Sequence, residues 1–236
     1  FEEILNKLKN STPDKSDISG KYMLDIKGEK TWCKIIAKAM WSDTEPPEYE
    51  GAIGKIIDIN DETEEMKLLE EKANLDFRTG LLNHEAAKSK ITSLLASAKN
   101  KQYALVFFDL DNFKQANDVY GHLFGDEVLE HIAATIKKNI RSTDVAARMG
   151  GDEFIIFMGY RGTVEPQIKR IFESLTVDFK GFPIKVSMGV ACMDGVQDYD
   201  TLFEMADKAA YSVKRSGKNS YRFYDDSLKD VVTDRG

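Results

Sequence analysis

The chain holds 236 residues, 42% hydrophobic and 31% charged, with a net charge of −7. That size accommodates one large domain, or one domain with a smaller companion. The acidic balance argues against a general nucleic-acid binder, and no apolar run is long enough to span a bilayer. Residues 1–75 carry 11 Lys and Arg against 17 Asp and Glu, the remainder 22 against 23. Any nucleotide would therefore have to be held by local groups. Cys33 and Cys192 lack metal-ligand spacing and read as two reduced, buried thiols of a cytoplasmic protein. A chain that begins Phe1-Glu2-Glu3-Ile4, with neither initiator Met nor signal peptide, reads as an excised part of a longer protein. A membrane segment upstream stays open.

Residues 1–60 read as an incomplete β-rich module. Residues 22–26, a turn at Lys27-Gly28-Glu29-Lys30 and residues 31–37 form an expected hairpin. A loop with Pro46-Pro47 and a strand over 51–59 follow. Residues 61–75 read as a charged linker helix. Ile59, Met66, Leu69 and Ala73 fall at a/d-like spacing, as in a short parallel coiled coil. The alternative is a solvated helix with no partner.

Over 76–236 helices and strands alternate. Ala87, Ile91, Leu94, Leu95 and Ala98 make a helical stripe, and 103–110 a strand. Val128, Leu129, Ile132, Ile136 and Ile140 make a second stripe, starting at Gly125-Asp126. A glycine hairpin follows, then a helix around Ile168, Ile171, Phe172 and Leu175, and a strand over 185–191. Gly189 in that strand marks a weak or closely approached point. A helix through Leu202, Ala206, Ala209, Ala210 and Val213 precedes a last strand over 221–224. The pattern predicts an α+β fold with an antiparallel sheet flanked by helices.

The chemistry concentrates in two stretches, Phe107-Phe108-Asp109-Leu110-Asp111 and Arg148-Met149-Gly150-Gly151-Asp152-Glu153-Phe154. Gly150-Gly151 suits the two-residue corner of a type I′ hairpin, where both central residues need positive φ. Asp152 and Glu153 would then follow the corner. With residues 105–110 alongside, Asp109 and Asp152 share one rim. Carboxylates converging there without a His or Cys cluster suit Mg²⁺, whose usual work in such a site is phosphoryl or nucleotidyl transfer. Asp111 reads as structural.

Gly-Gly-Asp-Glu-Phe resembles the signature of the GGDEF diguanylate cyclase family, and five further stretches in order extend the likeness from about Asp76 to about Tyr224. They are Thr79-Gly80-Leu81-Leu82-Asn83, residues 109–114, Asn117-Asp118 with Tyr120-Gly121-His122 and Gly125-Asp126, residues 207–211, and residues 214–219. The resemblance implies a ferredoxin-like palm that condenses two GTP into cyclic di-GMP and two pyrophosphates. It implies two Mg²⁺ (or Mn²⁺) held by Asp109, Asp152 and the Leu110 carbonyl, with Glu153 as a supporting catalytic acid. Asn112, Phe113 and Lys114 would cradle phosphate at a helix start, Lys214 and Lys218 would contact the β/γ-phosphates, and Asn117 and Asp126 would read guanine. Related enzymes making mixed cyclic dinucleotides carry a smaller polar residue at the position of Asp126, so Asp126 favours GTP. Arg141 and Asp144 match the family's inhibitory product site, for which Arg170 is a candidate second arginine. One domain holds one GTP, so the reaction implies a homodimer.

The strand ending at Asp58-Ile59-Asn60-Asp61 before a charged helix resembles the C-terminal part of a PAS sensory domain. The rival to a cyclase is a non-catalytic cyclic di-GMP-binding scaffold. It would use Arg141 and Asp144 but has no need of Asp109 and Asp152.

Overall fold

The computed structural model describes residues 2–98, 101–193, 195 and 198–233. The chain divides into two compact units, Phe1–Glu71 and Lys72–Gly236.

In the first unit helix α1 (Glu2–Lys9) places Ile4 and Leu8 on one buried face, with acids in its first turn and lysines in its last, as the helix dipole favours. It covers an antiparallel meander of β1 (Asp17–Ile26), β2 (Glu29–Trp41) and β3 (Tyr49–Asp58). Ile4 and Leu8 meet Ile35, Ala39, Ile18, Tyr22 and Leu24. The β1–β2 corner is Lys27-Gly28, at φ of 56° and 91°, which is the backbone twist a tight hairpin needs. Helix α1 was absent from the sequence reading, because two apolar positions in eight residues carry little periodicity. Helix α2 (Asn60–Ala73) occupies the charged stretch. Of the a/d-like positions, Ile59 just before the helix is buried, whereas Met66 and Leu69 within it are 58% and 59% exposed.

The second unit contains α3 (His84–Ala96), β4 (Gln102–Leu110), α4 (Phe113–Tyr120), α5 (His122–Asn139), β5 (Val145–Gly150) and β6 (Glu153–Tyr160). It continues with α6 (Glu165–Leu175), a short hairpin β7 (Asp178–Phe179) and β8 (Phe182–Pro183), β9 (Val186–Cys192), α7 (Tyr199–Arg215) and β10 (Ser220–Phe223). Five strands form one sheet in the order β10-β9-β4-β6-β5. Four of them pair antiparallel as expected, but β10 runs parallel to β9. The α7 crossover is what returns the chain in the same direction. The sheet is therefore mixed, within the α+β class.

Period-two alternation in β4 serves both faces. Ala104, Val106 and Phe108 join the core under α5 and α6, and Tyr103, Leu105 and Phe107 join the core under α3 and α7. Asp109 continues the second series, so it emerges at the rim on the α7 side. Gly189 in β9 is the closely approached point. A Cβ there would collide with the Ala206 carbonyl and the Ala210 amide, so its absence lets the α7 backbone lie directly on the sheet.

Three local expectations shift. The β5–β6 corner is Gly151-Asp152, because Gly150 already pairs with Glu153 across a bulge after Arg148. Gly150 and Gly151 both have positive φ, 143° and 51°, so the glycines serve the bulge and the first loop position. Helix α5 starts one turn before the predicted point, with Gly121 as N-cap. Cys192 is half-buried, whereas Cys33 is fully buried; both are free thiols.

Candidate active site

The rim where β4 ends and β6 begins gathers the acids. Asp109 is paired in register with Glu153, and the Leu110 N–H donates to the Asp152 carbonyl at 3.2 Å. Asp152 thus sits in the loop rather than past it, beside Asp109. Its carboxyl is pushed above the ordinary range first by burial and then by the like charge of Asp109, with its own backbone N–H, Lys214 and Arg148 pulling back. Two acids held together against their repulsion are a donor set that suits a hard divalent cation. Among the described residues no three His, Cys, Asp or Glu gather into a cage. An ion here would therefore also need backbone, water or substrate oxygens, which is the habit of Mg²⁺.

Arg148 fixes the loop. Its Nε and Nη2 donate to the Gly151 carbonyl at 2.8 and 2.6 Å, and its Nη1 pairs with Asp76 at 3.2 Å. Burial alone would raise the Asp76 carboxyl, but hydrogen bonds from Thr79 and the Arg148 charge hold it below the ordinary range. Arg148 and Asp76 had no assigned role in the sequence; an Arg two residues before the glycine run was the available signal. Asp111 is buried, accepting from Ser187 Oγ at 2.7 Å and the Asn219 N–H at 2.9 Å, a structural tie between β4, β9 and the end of α7.

The end of α7 brings the lysines to this rim. Lys214 Nζ stands 2.9 Å from Asp109 Oδ2, so its charge engages the acid pair directly. Lys218 Nζ donates to Asn112 Oδ1 at 2.8 Å. Asn112 has positive φ, 60°, and precedes α4, whose first-turn amides include Phe113 and Lys114. The Asn112 carbonyl accepts from Gln115 and Ala116. Asp109 and Asn112, Asp152 and Glu153, and the two lysines thus come from three distant stretches to one edge.

Asn117 of α4 and Asp126 of α5 lie where the two helices pack together. A Cβ at Gly125 would collide with the Asn117 side chain, so glycine there admits Asn117 against α5 next to Asp126. Asp126 lies inside the helix rather than at its cap, and its Oδ2 pairs with Arg78 Nη2 at 2.8 Å. The Arg78 pair had no sequence signal.

Arg141 and Asp144 lie apart from the acid rim, between α5 and β5. The Arg141 N–H donates to Asp144 Oδ2 at 2.9 Å. A cavity of about 830 Å³ opens here and is lined by Arg141, Asp144, Lys90, Lys101, Tyr160 and Arg161 among others. Arg170 is not part of it: both of its terminal nitrogens bind Asn139 at the end of α5.

Helices on both faces of a five-stranded sheet, with acids at the end of its central strand, define a ferredoxin-like α+β palm. Residues 73–220 match the family described as diguanylate cyclase, GGDEF domain, and the chain belongs to that family. Diguanylate cyclase DgcS of Shewanella oneidensis is 36% identical over 158 residues, covering 64% of this chain and 53% of the relative. Cyclic di-GMP phosphodiesterase PdeR of Escherichia coli is 34% identical over 171 residues, 70% of this chain and 26% of the relative. The chain thus spans about half the length of the first of these relatives and about a quarter of the second. Among solved structures, the coiled coil and GGDEF domain of DgcB from Caulobacter crescentus in complex with c-di-GMP aligns with TM-score 0.64 at 26% identity. It covers 70% of this chain and 93% of that one. No helix among the described residues is long and apolar enough to cross a membrane.

Proposed function

We propose that the second unit is a diguanylate cyclase that joins two GTP into cyclic di-GMP with release of two pyrophosphates. The observation that carries this is the mutually repelling Asp109–Asp152 pair at a rim that also receives Lys214 and Lys218. Asp109, Asp152 and the Leu110 carbonyl are the groups that would hold Mg²⁺ or Mn²⁺, two per site. Such ions lower the pKa of a bound hydroxyl and neutralise charge on a leaving pyrophosphate. The chain's own groups do the rest. Glu153 stands beside Asp109 where it can accept a proton from the 3′-hydroxyl or orient it. The α4 amides, Lys114, Lys214 and Lys218 neutralise the phosphate tail, with Lys214 exchanging its Asp109 contact for phosphate oxygen. Asp126 accepts from guanine N1–H and N2–H₂ and Asn117 completes the base contacts, a donor pair that adenine lacks.

Each 3′-hydroxyl must attack the other nucleotide's α-phosphate, so two domains face each other in a homodimer. The exposed Met66 and Leu69 of α2 support a helix that pairs with its copy. The upstream helix and three-stranded meander support a partial PAS-like sensory role for the first unit. GTP as substrate places the reaction in the cytoplasm. Arg141 and Asp144 support feedback inhibition, since an arginine beside a carboxylate at a wide cavity suits the phosphates and guanine edges of cyclic di-GMP. That cavity also supports the second reading, a non-catalytic cyclic di-GMP scaffold.

Mass spectrometry after incubation with GTP and Mg²⁺, beside an Asp152→Ala control, separates the two. Cyclic di-GMP formed by the native chain alone establishes the cyclase. If a chain forced to dimerise also makes no product, the scaffold reading takes over.

A further inference from the structure

Arg78 projects from the loop between α2 and α3, and that loop is fixed. Asp76 accepts from the Thr79 N–H at 2.9 Å and hydroxyl at 2.6 Å and pairs with Arg148, and the Gly80 N–H returns to the Asp76 carbonyl at 2.8 Å. Lys137 of α5 donates to the Thr79 carbonyl at 3.0 Å. From this anchor Arg78 Nη2 reaches Asp126 Oδ2 at 2.8 Å, while Nη1 stands 3.7 Å from Glu130 Oε1. Asp126 and Glu130 are one helical turn apart, so one guanidinium faces two acids in a row. The exposed Phe77 ring lies beneath the guanidinium, 5.4 Å from its carbon to the ring centroid.

The carboxylate assigned to guanine therefore already has a partner. A guanidinium and the N1–H/N2–H₂ edge of guanine present the same kind of planar donor group, and they compete for the same oxygens. Resting on the reading of Asp126 as the base-reading acid, we infer that Arg78 is a latch on the base pocket. It holds Asp126 while no base is bound and moves to Glu130 when guanine takes the carboxylate. Glu130 keeps the cation paired in both positions, and the fixed loop confines the exchange to the side chain. Adenine cannot replace the Arg78 donors on Asp126, so it leaves the latch in place. Arg78 thereby lowers GTP affinity, and it also spares bound adenine the cost of facing an unpaired acid.

The test is calorimetric binding to the full chain of GTP and ATP analogues carrying a methylene between the α- and β-phosphates, which blocks turnover. Arg78→Ala is expected to tighten the GTP analogue about five-fold, the scale of one partly exposed ion pair, and to widen the preference for it over the ATP analogue. Arg78→Lys, which keeps a cation on the same loop, should fall between Arg78→Ala and the native chain. Glu130→Gln removes the second seat and should weaken the GTP analogue about two-fold in the native chain, yet have no effect alongside Arg78→Ala. Unchanged or weaker GTP-analogue binding in Arg78→Ala overturns the latch, as does an equal effect of Glu130→Gln in both backgrounds. Asp126→Asn reads the underlying assignment separately. If it leaves the guanine preference intact, Asp126 is not the base reader, whatever Arg78 does.

Discussion

The acid rim and the Arg141–Asp144 face lie on one domain and are built in opposite ways. At the rim Asp109 meets Glu153 and Lys214, Asp111 meets Ser187 and Asn219, and Arg148 joins Asp76 to Gly151, contacts that span long stretches of chain. At the other face Arg141 and Asp144 are joined through a four-residue turn, with the Arg141 side chain exposed. The first arrangement exists only when the whole sheet has formed, and it holds like charges together. The second asks less of the fold, although Asp144 Oδ1 also accepts from the Gly159 N–H of β6 at 3.4 Å. Substitutions at the rim should therefore move stability as well as chemistry, whereas those at the face should change binding alone.

The largest test is Asp152→Asn. Turnover of GTP should fall about a thousand-fold, as several kcal/mol of charge stabilisation in the transition state is lost. Melting in metal-free buffer should rise by about a few degrees, because the burial and repulsion of the charged acid are relieved. A lowered melting temperature would remove the claim that the rim is strained. Next comes Gly189→Ala, which drives a methyl into the α7 backbone and should lower unfolding free energy by about 3 kcal/mol. A shifted urea midpoint, together with loss of activity, would show that α7 holds the lysines in place.

Arg141→Ala should leave the melting temperature unchanged and weaken cyclic di-GMP binding about ten-fold, the value of a charge-assisted hydrogen bond. A marked loss of stability would erase the contrast between the two regions. The smallest effect is in pH. The raised Asp152 pKa stabilises the fold below the unfolded Asp value near about 4, and that contribution is lost as pH rises through the folded value. Asp76, lowered, does the reverse: its contribution is present above the unfolded value and is lost as pH falls through the folded one. The stability gained by Asp152→Asn should therefore grow as pH rises above about 4 and stay level if Asp152 is unperturbed. Denaturant titrations at a series of pH values read this directly.

The sequence by itself determined the α+β class, the order of most of its longer helices and strands, and the family. Apolar periodicity reports which face of each element is buried, and Gly-Gly-Asp-Glu-Phe is a contiguous motif. It also put Asp109 and Asp152 at element ends, since a strand that loses its apolar run at an acid has reached the rim. Helix α1 escaped because eight residues hold too little periodicity, and the hairpin corner slipped by one residue because a bulge absorbs a glycine. Tertiary structure alone decided the parallel β9–β10 pair, the Lys214 contact with Asp109, the Arg148 clamp and the partnership of Arg78 with Asp126. Each depends on two segments meeting across the fold, and a side chain's partner there is set by where packing brings the backbone, which no local pattern encodes.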